Sequence, residues 1–268
     1  MDLKQVAVVI PFYREELTDF EKIALLQCQK ILAEYPKIAV KPRSLNLPAE
    51  ASALTNLQTI SFDDEYFKDV WGYNRLMLSD FFYRSFSEYQ YVLIYQLDAF
   101  VLRDDLKYWC GQGLDYVGAP WVRTKAHSGK FSTYWHRLKN DWYVRNNATK
   151  DGKPRVEQLE DRVGNGGFSL RKVDTFLKYC VECKSLIEKY QKENSSWFHE
   201  DIFWSIELNR KEKRLVIPPL ETGLQFAFET NPERALLLSY NKLPFGCHAW
   251  DKHTDFWRPV FKSMGYII

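Results

Sequence analysis

The chain has 268 residues, 46% of them hydrophobic and 27% charged, which supplies one substantial core and excludes disorder by composition. Its 37 basic and 35 acidic residues nearly cancel, to a net charge of +2, and are interspersed, so nucleic acid is not an expected partner. Five cysteines, of which only Cys180 and Cys183 form a CxxC, argue against a disulfide framework or zinc site and for reduced thiols on a helix face.

In chain order, residues 6–10 (VAVVI) form a continuous β-branched run stopped by Pro11, the pattern of a strand covered on both faces. The run is too short for a signal segment or a bilayer span, and no later run reaches the needed length, so a cytoplasmic location is expected. Peripheral attachment to a membrane surface is compatible with this sequence, although no obvious anchor encodes it. Leu17, Phe20, Ile23, Ala24, Leu26 and Ile31 recur at helical spacing before Pro36. Ile38–Val40 reads as a second strand, Asp69–Phe86 as one long amphipathic helix, and Tyr91–Leu97 as the longest buried strand. This alternation predicts an α/β fold with a largely parallel sheet, whose ligands bind at the carboxyl ends of strands, near Pro11–Tyr13 and Asp98.

Asp115–Gly118 predicts a further strand. Residues 123–162 are polar and show no sustained period, which predicts a functional loop or lid; its aromatic and basic part, Trp135–Asn147, could cover a glycan or lipid-linked acceptor. Gly166–Leu170 reads as a strand, Lys172–Tyr190 and Glu200–Asn209 as helices, and Arg214–Ile217 as a strand ended by Pro218. With no repeat and no linker, one domain over 1–268 is expected.

Four elements carry chemistry. Asp98 closes the apolar run YVLIYQLDAF, where a carboxylate could meet a ribose hydroxyl or a metal-bound diphosphate, whereas Asp104 and Asp105 read as the start of a short helix. The turn GNGG places Gly164, Gly166 and Gly167 before FSLR; it fits neither a dinucleotide fingerprint nor a P-loop, and suits a sugar-facing turn with positive φ or close backbone approach. Glu200 and Asp201 follow Ser195 and Ser196 as acids in a first helical turn, and Asp201 is placed to take a proton from an acceptor hydroxyl. His248 comes late, after the acidic pair; His199 adjoins that pair and could orient it, while His127, His136 and His253 fall in polar segments where solvent explains them.

In this order the words YNRLMLS, YQLDAF, GAPW, GNGGFSLR and HEDIFWS resemble the GT-A superfamily of glycosyltransferases, and most closely a bacterial branch of it known as a domain of unknown function. The resemblance runs from Val6 to about His248. It implies a single GT-A-like, Rossmann-like domain with a mixed, mostly parallel sheet flanked by helices. It also implies that Pro11, Phe12 and Tyr13 hold the base and ribose, that Asn74 and Arg75 add nucleotide contacts, and that Gly166 and Gly167 form the glycine loop. Glu200 and Asp201 then match the xED motif. Asp98 matches the first acid of the DxD motif and His248 the C-terminal metal-binding histidine, with Phe100 in place of the second acid.

The chemistry that this resemblance implies is inverting transfer from a nucleoside diphosphate sugar, commonly a UDP-sugar, to a glycan or lipid-linked acceptor in polysaccharide assembly, with Asp201 as base. The departing diphosphate needs Mn²⁺ or Mg²⁺ held by Asp98 and His248 or, because a phenyl ring cannot coordinate a hard cation, a basic side chain such as Arg75, Arg171 or Lys252. Two alternatives stand beside this: a catalytically silent sugar- or nucleotide-binding module, and a sugar-phosphate nucleotidyltransferase. The latter wants glycine and lysine after the first strand, where this chain has PFYREE.

Overall fold

The computed structural model describes residues 4–124, 130–193 and 195–268; His127 lies outside them. The strand β1 (Lys4–Pro11) leads to helix α1 (Asp19–Ile31), which Thr18 and Glu21 close with a reciprocal capping box. Next come β2 (Lys37–Pro42), β3 (Leu57–Phe62), α2 (Val70–Met77), α3 (Asp80–Arg84), β4 (Tyr89–Tyr95), β5 (Phe100–Val101), α4 (Leu106–Cys110) and β6 (Tyr116–Gly118). The second half holds α5 (Lys130–Asn146), the hairpin of β7 (Thr149–Lys150) and β8 (Lys153–Pro154), β9 (Phe168–Lys172), α6 (Val173–Glu182), α7 (Lys184–Tyr190) and α8 (Glu200–Ile202). The helix α8 runs into a π turn, Phe203–Glu207, and the chain ends with α9 (Leu220–Phe226), β10 (Ala227–Phe228), α10 (Pro232–Leu238), β11 (Gly246–Cys247) and α11 (Thr254–Ser263).

The main sheet has the order β3-β2-β1-β4-β9-β6. The first four strands are parallel, and β9 runs antiparallel between β4 and β6. Alternate residues of β1 enter two cores: Val6, Val8 and Ile10 pack with Leu93 and Leu170, and Ala7 and Val9 with Val92, Ile94 and Phe203. That is why VAVVI shows no polar alternation.

A smaller sheet, β10-β11-β5, lies over a third apolar cluster. The ring of Phe100 stacks on Phe261 of α11 with centroids 3.9 Å apart, and Trp250 and Trp257 complete the packing. In this sheet β10 and β11 are parallel and β5 is antiparallel to β11. The residues just after β10 and β11 and just before β5, namely Glu229, His248 and Asp98, therefore meet at one end.

Several expectations needed correction. Asp69–Phe86 is two helices, because the Ser79 hydroxyl donates to the Leu76 carbonyl while accepting from the Phe82 N–H, starting a new helix. Lys172–Tyr190 breaks likewise at Cys183. Residues 123–162 contain the 17-residue α5 and a hairpin in place of an irregular lid. Arg214–Ile217 makes backbone contact with β6, through Asp115 N–H to Val216 O at 2.9 Å, but forms no strand. The cysteines are buried free thiols, and Asp104 accepts from Leu106 N–H at the start of α4. No described helix is long and apolar enough to cross a membrane.

Since α11 holds the small sheet through Phe261, the substitution Phe261→Ala is expected to cost about 3–5 kcal/mol. The check is a denaturant or thermal unfolding curve.

Candidate active site

A cavity of about 530 Å³ opens at the carboxyl ends of β1 and β4, lined among others by Pro11, Tyr13, Arg14, Gln96, Asp98 and Trp250. Pro11 forms its wall because a parallel strand must end where the next segment turns away. Tyr13 is half exposed there, its ring edge-on to Tyr73 at 5.7 Å, a platform suited to a planar base. Phe12 faces the opposite way, into the core, and is unavailable to a ligand. Arg75 is exposed on α2 and lines a different depression with Tyr66, Ser79 and Asp80. Asn74 is buried, and its Oδ1 accepts the N–H of Glu200 at 3.1 Å, so it anchors the acidic turn.

At the meeting end of the small sheet, His248 is held between two carboxylates. Its Nε2 lies 3.1 Å from Asp98 Oδ1 and 3.2 Å from Gln96 Oε1, and its Nδ1 lies 3.2 Å from Glu229 Oε1. Burial alone would lower the imidazole pKa, but the two carboxylates outweigh it and push it up to about 10, so both ring nitrogens carry protons at neutral pH. Asp98 remains ionised: burial opposes this, yet the charge of His248 brings its pKa below the ordinary value. Glu229 also accepts from Asn165 Nδ2 at 2.8 Å, and Asn165 Oδ1 takes the N–H of Gly167 at 3.0 Å, tying the histidine to the glycine turn.

Gly166 and Gly167 have no positive φ, so left-handed backbone is not the reason for them. What they supply is space. A Cβ on Gly167 would overlap His248 Nε2 and lie 2.6 Å from Gln96 Oε1. On Gly166 it would overlap Glu200 Oε1 and lie 2.8 Å from Arg171 Nη2 and 3.2 Å from Asp201 Cβ. The turn thus packs against the histidine on one side and the acidic pair on the other.

Glu200 is consumed by structure. Arg171, wholly buried, donates from Nη1 to its Oε2 at 2.9 Å and from Nη2 to its Oε1 at 2.8 Å, and also reaches the Tyr83 hydroxyl and Ser169. That bidentate pair is satisfied on every side, so Arg171 cannot serve a diphosphate. Asp201 differs. It accepts only the N–H of Ile202, and burial together with the negative charges of Glu200 and Glu229 raises its pKa from 3.8 to about 7. A carboxylate poised near neutrality is what proton abstraction requires. His199, next to the acidic pair, packs its ring edge-on against Trp71. His136 lies on α5, 3.1 Å from Glu160, and not in a solvated loop.

Among the described residues no three His, Cys, Asp or Glu side chains converge on one point. Glu229 and Asp98 approach opposite ring nitrogens and cannot share an ion. Gln96 Oε1 and Asp98 Oδ1, however, lie 3.2 and 3.1 Å from His248 Nε2, close to the ~3 Å edge between neighbouring ligands of an octahedral Mg²⁺-sized cation. Gln96, Asp98 and His248 are the groups that would hold a divalent cation here, where it would supply charge neutralisation to a diphosphate. Phe100 is fully buried against Phe261 and faces away from them. Of the basic candidates only Lys252 lies near enough to Asp98 to depress its pKa. Sequence reasoning also missed Glu229; the signal was an acid ending the short apolar run LQFAFE.

With this geometry, the fold compares with two solved structures of the galactosyltransferase LgtC. The complex with donor and acceptor sugar analogs aligns at a TM-score of 0.55 with 13% identity, covering 90% of this chain and 86% of that one. A structure of an active site mutant of LgtC gives 0.55 and 14% over the same shares. Core-mannan synthase A from Aspergillus fumigatus, in its Mn/GDP form, aligns at only 0.49 and 11%, over 75% and 68%, too loosely to bear on this chain. No curated protein matches. The architecture, a mostly parallel mixed sheet flanked by helices, is that of the GT-A glycosyltransferases. By sequence the chain belongs to the family described as "Protein of unknown function (DUF5672)", which it matches over residues 56–248.

Two outcomes are expected. Phe100→Asp buries a charge against Phe261 and should cost about 3–5 kcal/mol without adding Mn²⁺ affinity, whereas Gln96→Glu, which keeps the oxygen in place, should increase it, both measured by calorimetry and unfolding. Asp201, with a folded pKa above its unfolded one, weakens the fold progressively from about pH 3.8 upward, fully so above about 7. Asp201→Asn should therefore raise the melting temperature at pH 8 and change it little at pH 3.

Proposed function

We propose that this chain is a glycosyltransferase, built as a single GT-A-like domain, moving a sugar from a nucleoside diphosphate sugar to an acceptor hydroxyl. The observation that supports the reading is the glycine turn, packed against Asp201 through Gly166 and against His248 through Gly167, while Asp98, the partner of His248, lines the cavity. The base would lie against Tyr13 and the diphosphate near Asp98. Asp201 takes the proton of the acceptor hydroxyl, the oxygen attacks the anomeric carbon, and the diphosphate leaves with the bonding electrons, inverting that centre. A divalent cation held by Gln96, Asp98 and His248 supplies charge neutralisation to the leaving group when bound; Lys252 adds to it from the chain itself. A UDP-sugar donor, a glycan or lipid-linked acceptor, a role in polysaccharide assembly and a cytoplasmic location complete the proposal.

A silent binding module has no use for a carboxylate held near neutrality, and a nucleotidyltransferase would need a cationic glycine loop where Arg14, Glu15 and Glu16 follow Tyr13. Incubation with a panel of nucleotide sugars, with and without Mn²⁺, should release nucleoside diphosphate from at least one donor. In Asp201→Asn the turnover should fall on the order of a hundredfold or more while nucleotide affinity is kept. Full turnover in that variant would remove Asp201 as base, and absence of any nucleotide binding would remove the function itself.

A further inference from the structure

The helix α5 is inside out. Phe131, Trp135, Leu138 and Trp142 recur at spacings of four, three and four, which places them on one face, and they are 76, 56, 41 and 60% exposed. The face turned to the protein carries one apolar contact, Val144 against the cluster of Trp197, Ile202 and Ile206, and is otherwise polar. His136 pairs with Glu160 at 3.1 Å, Asn140 is buried beside it, Asp141 pairs with Arg162, and the Val144 carbonyl accepts from Arg210. Polar contacts therefore fix the helix and leave four large apolar side chains facing water, the reverse of what burial of apolar area dictates for a surface helix.

The charge around this stripe has one sign. Arg137, Lys139 and Arg145 lie on the same helix, whose one described acid, Asp141, is neutralised by Arg162. Arg137 also borders a separate cavity of about 460 Å³, with Lys213 and Arg234, and among the described residues none of these three cations forms an ion pair. Ser205 lines the same cavity and donates to the Asp201 carbonyl at 2.7 Å, so the cavity reaches the helix that carries the acidic pair.

We propose that the exposed face of α5 docks on an anionic phospholipid bilayer, its indole and phenyl rings entering the headgroup region while Lys139 and Arg145, on either side of the stripe, meet lipid phosphates. Aromatic and leucine side chains on one face flanked by basic ones are the composition that lies in the plane of a membrane interface, and each basic residue adds attraction to an anionic leaflet. The inference extends the acceptor side of the glycosyltransferase reading, because a lipid-linked acceptor is presented at such a surface.

The test is co-sedimentation of the full chain with vesicles of phosphatidylcholine alone and of phosphatidylcholine mixed with phosphatidylglycerol. Binding is expected to the mixed vesicles, weakened by salt, and reduced on the order of tenfold in the double variant Trp135→Ser, Trp142→Ser. Donor hydrolysis in solution, followed in parallel, reads the catalytic proposal separately, and circular dichroism verifies that the double variant folds. Absence of binding to mixed vesicles, or equal binding by the double variant, would overturn the inference. A doubled mass in light scattering that the tryptophan variant loses would also overturn it, assigning the stripe to a second copy of the chain.

Discussion

Two missing methyl groups organise this molecule. Gly166 and Gly167 let the backbone pass between His248 and the Glu200–Asp201 turn, at separations no side chain would permit. Every chemical feature of the site depends on that closeness. The Gly167 N–H orients Asn165, Asn165 steadies Glu229, and Glu229 holds one face of the histidine whose other face meets Asp98. On the far side, burial first and then the charges of Glu200 and Glu229 raise the proton affinity of Asp201. Low dielectric makes such a linked set strong when complete and costly when broken.

Rigidity comes from separate sources on the two sides. The acidic turn hangs on Arg171, whose guanidinium reaches Glu200, Tyr83 and Ser169 without exposure to solvent. Removing one member of such a pair leaves a buried charge uncompensated, which is far worse than never having had the pair. The histidine side hangs instead on aromatic packing beneath three two-residue strands, which are too short to persist alone. One half is thus fixed by charge and the other by apolar contact.

The sequence disclosed the parallel half of the sheet because buried strands such as VAVVI and YVLIY have no other reading. Asp98 stood out as a carboxylate closing an apolar run, Asp201 as an acid in a first helical turn and His248 by its late place after the acidic pair. The fold brings Asp201 and His248 to the two sides of the glycine turn and Asp98 to the histidine. The period of α5 was in the sequence, at Phe131, Trp135, Leu138 and Trp142, but Tyr134, Tyr143 and Val144 off that face blur it, so WHRLKNDWYVRNN reads as loop. Asn74 and Arg75 show a different limit. They are adjacent in sequence and turned about 100° apart on the helix, so one is buried under Glu200 while the other faces solvent. Gln96 was passed over because an amide is not an acid, although only the fold reveals that it, and not Phe100, shares the side of Asp98.

The π turn at Phe203–Glu207 comes directly after α8, which carries Asp201. Such a turn holds one residue more than the α-helix around it, as though a residue had been inserted into regular winding. Phe203 and Trp204 are locked in the core. The wider turn takes up that residue within itself, so the short helix before it keeps its direction. The direction of the Asp201 carboxylate is thus set by two buried rings one turn further on rather than by the winding preference of its own short helix.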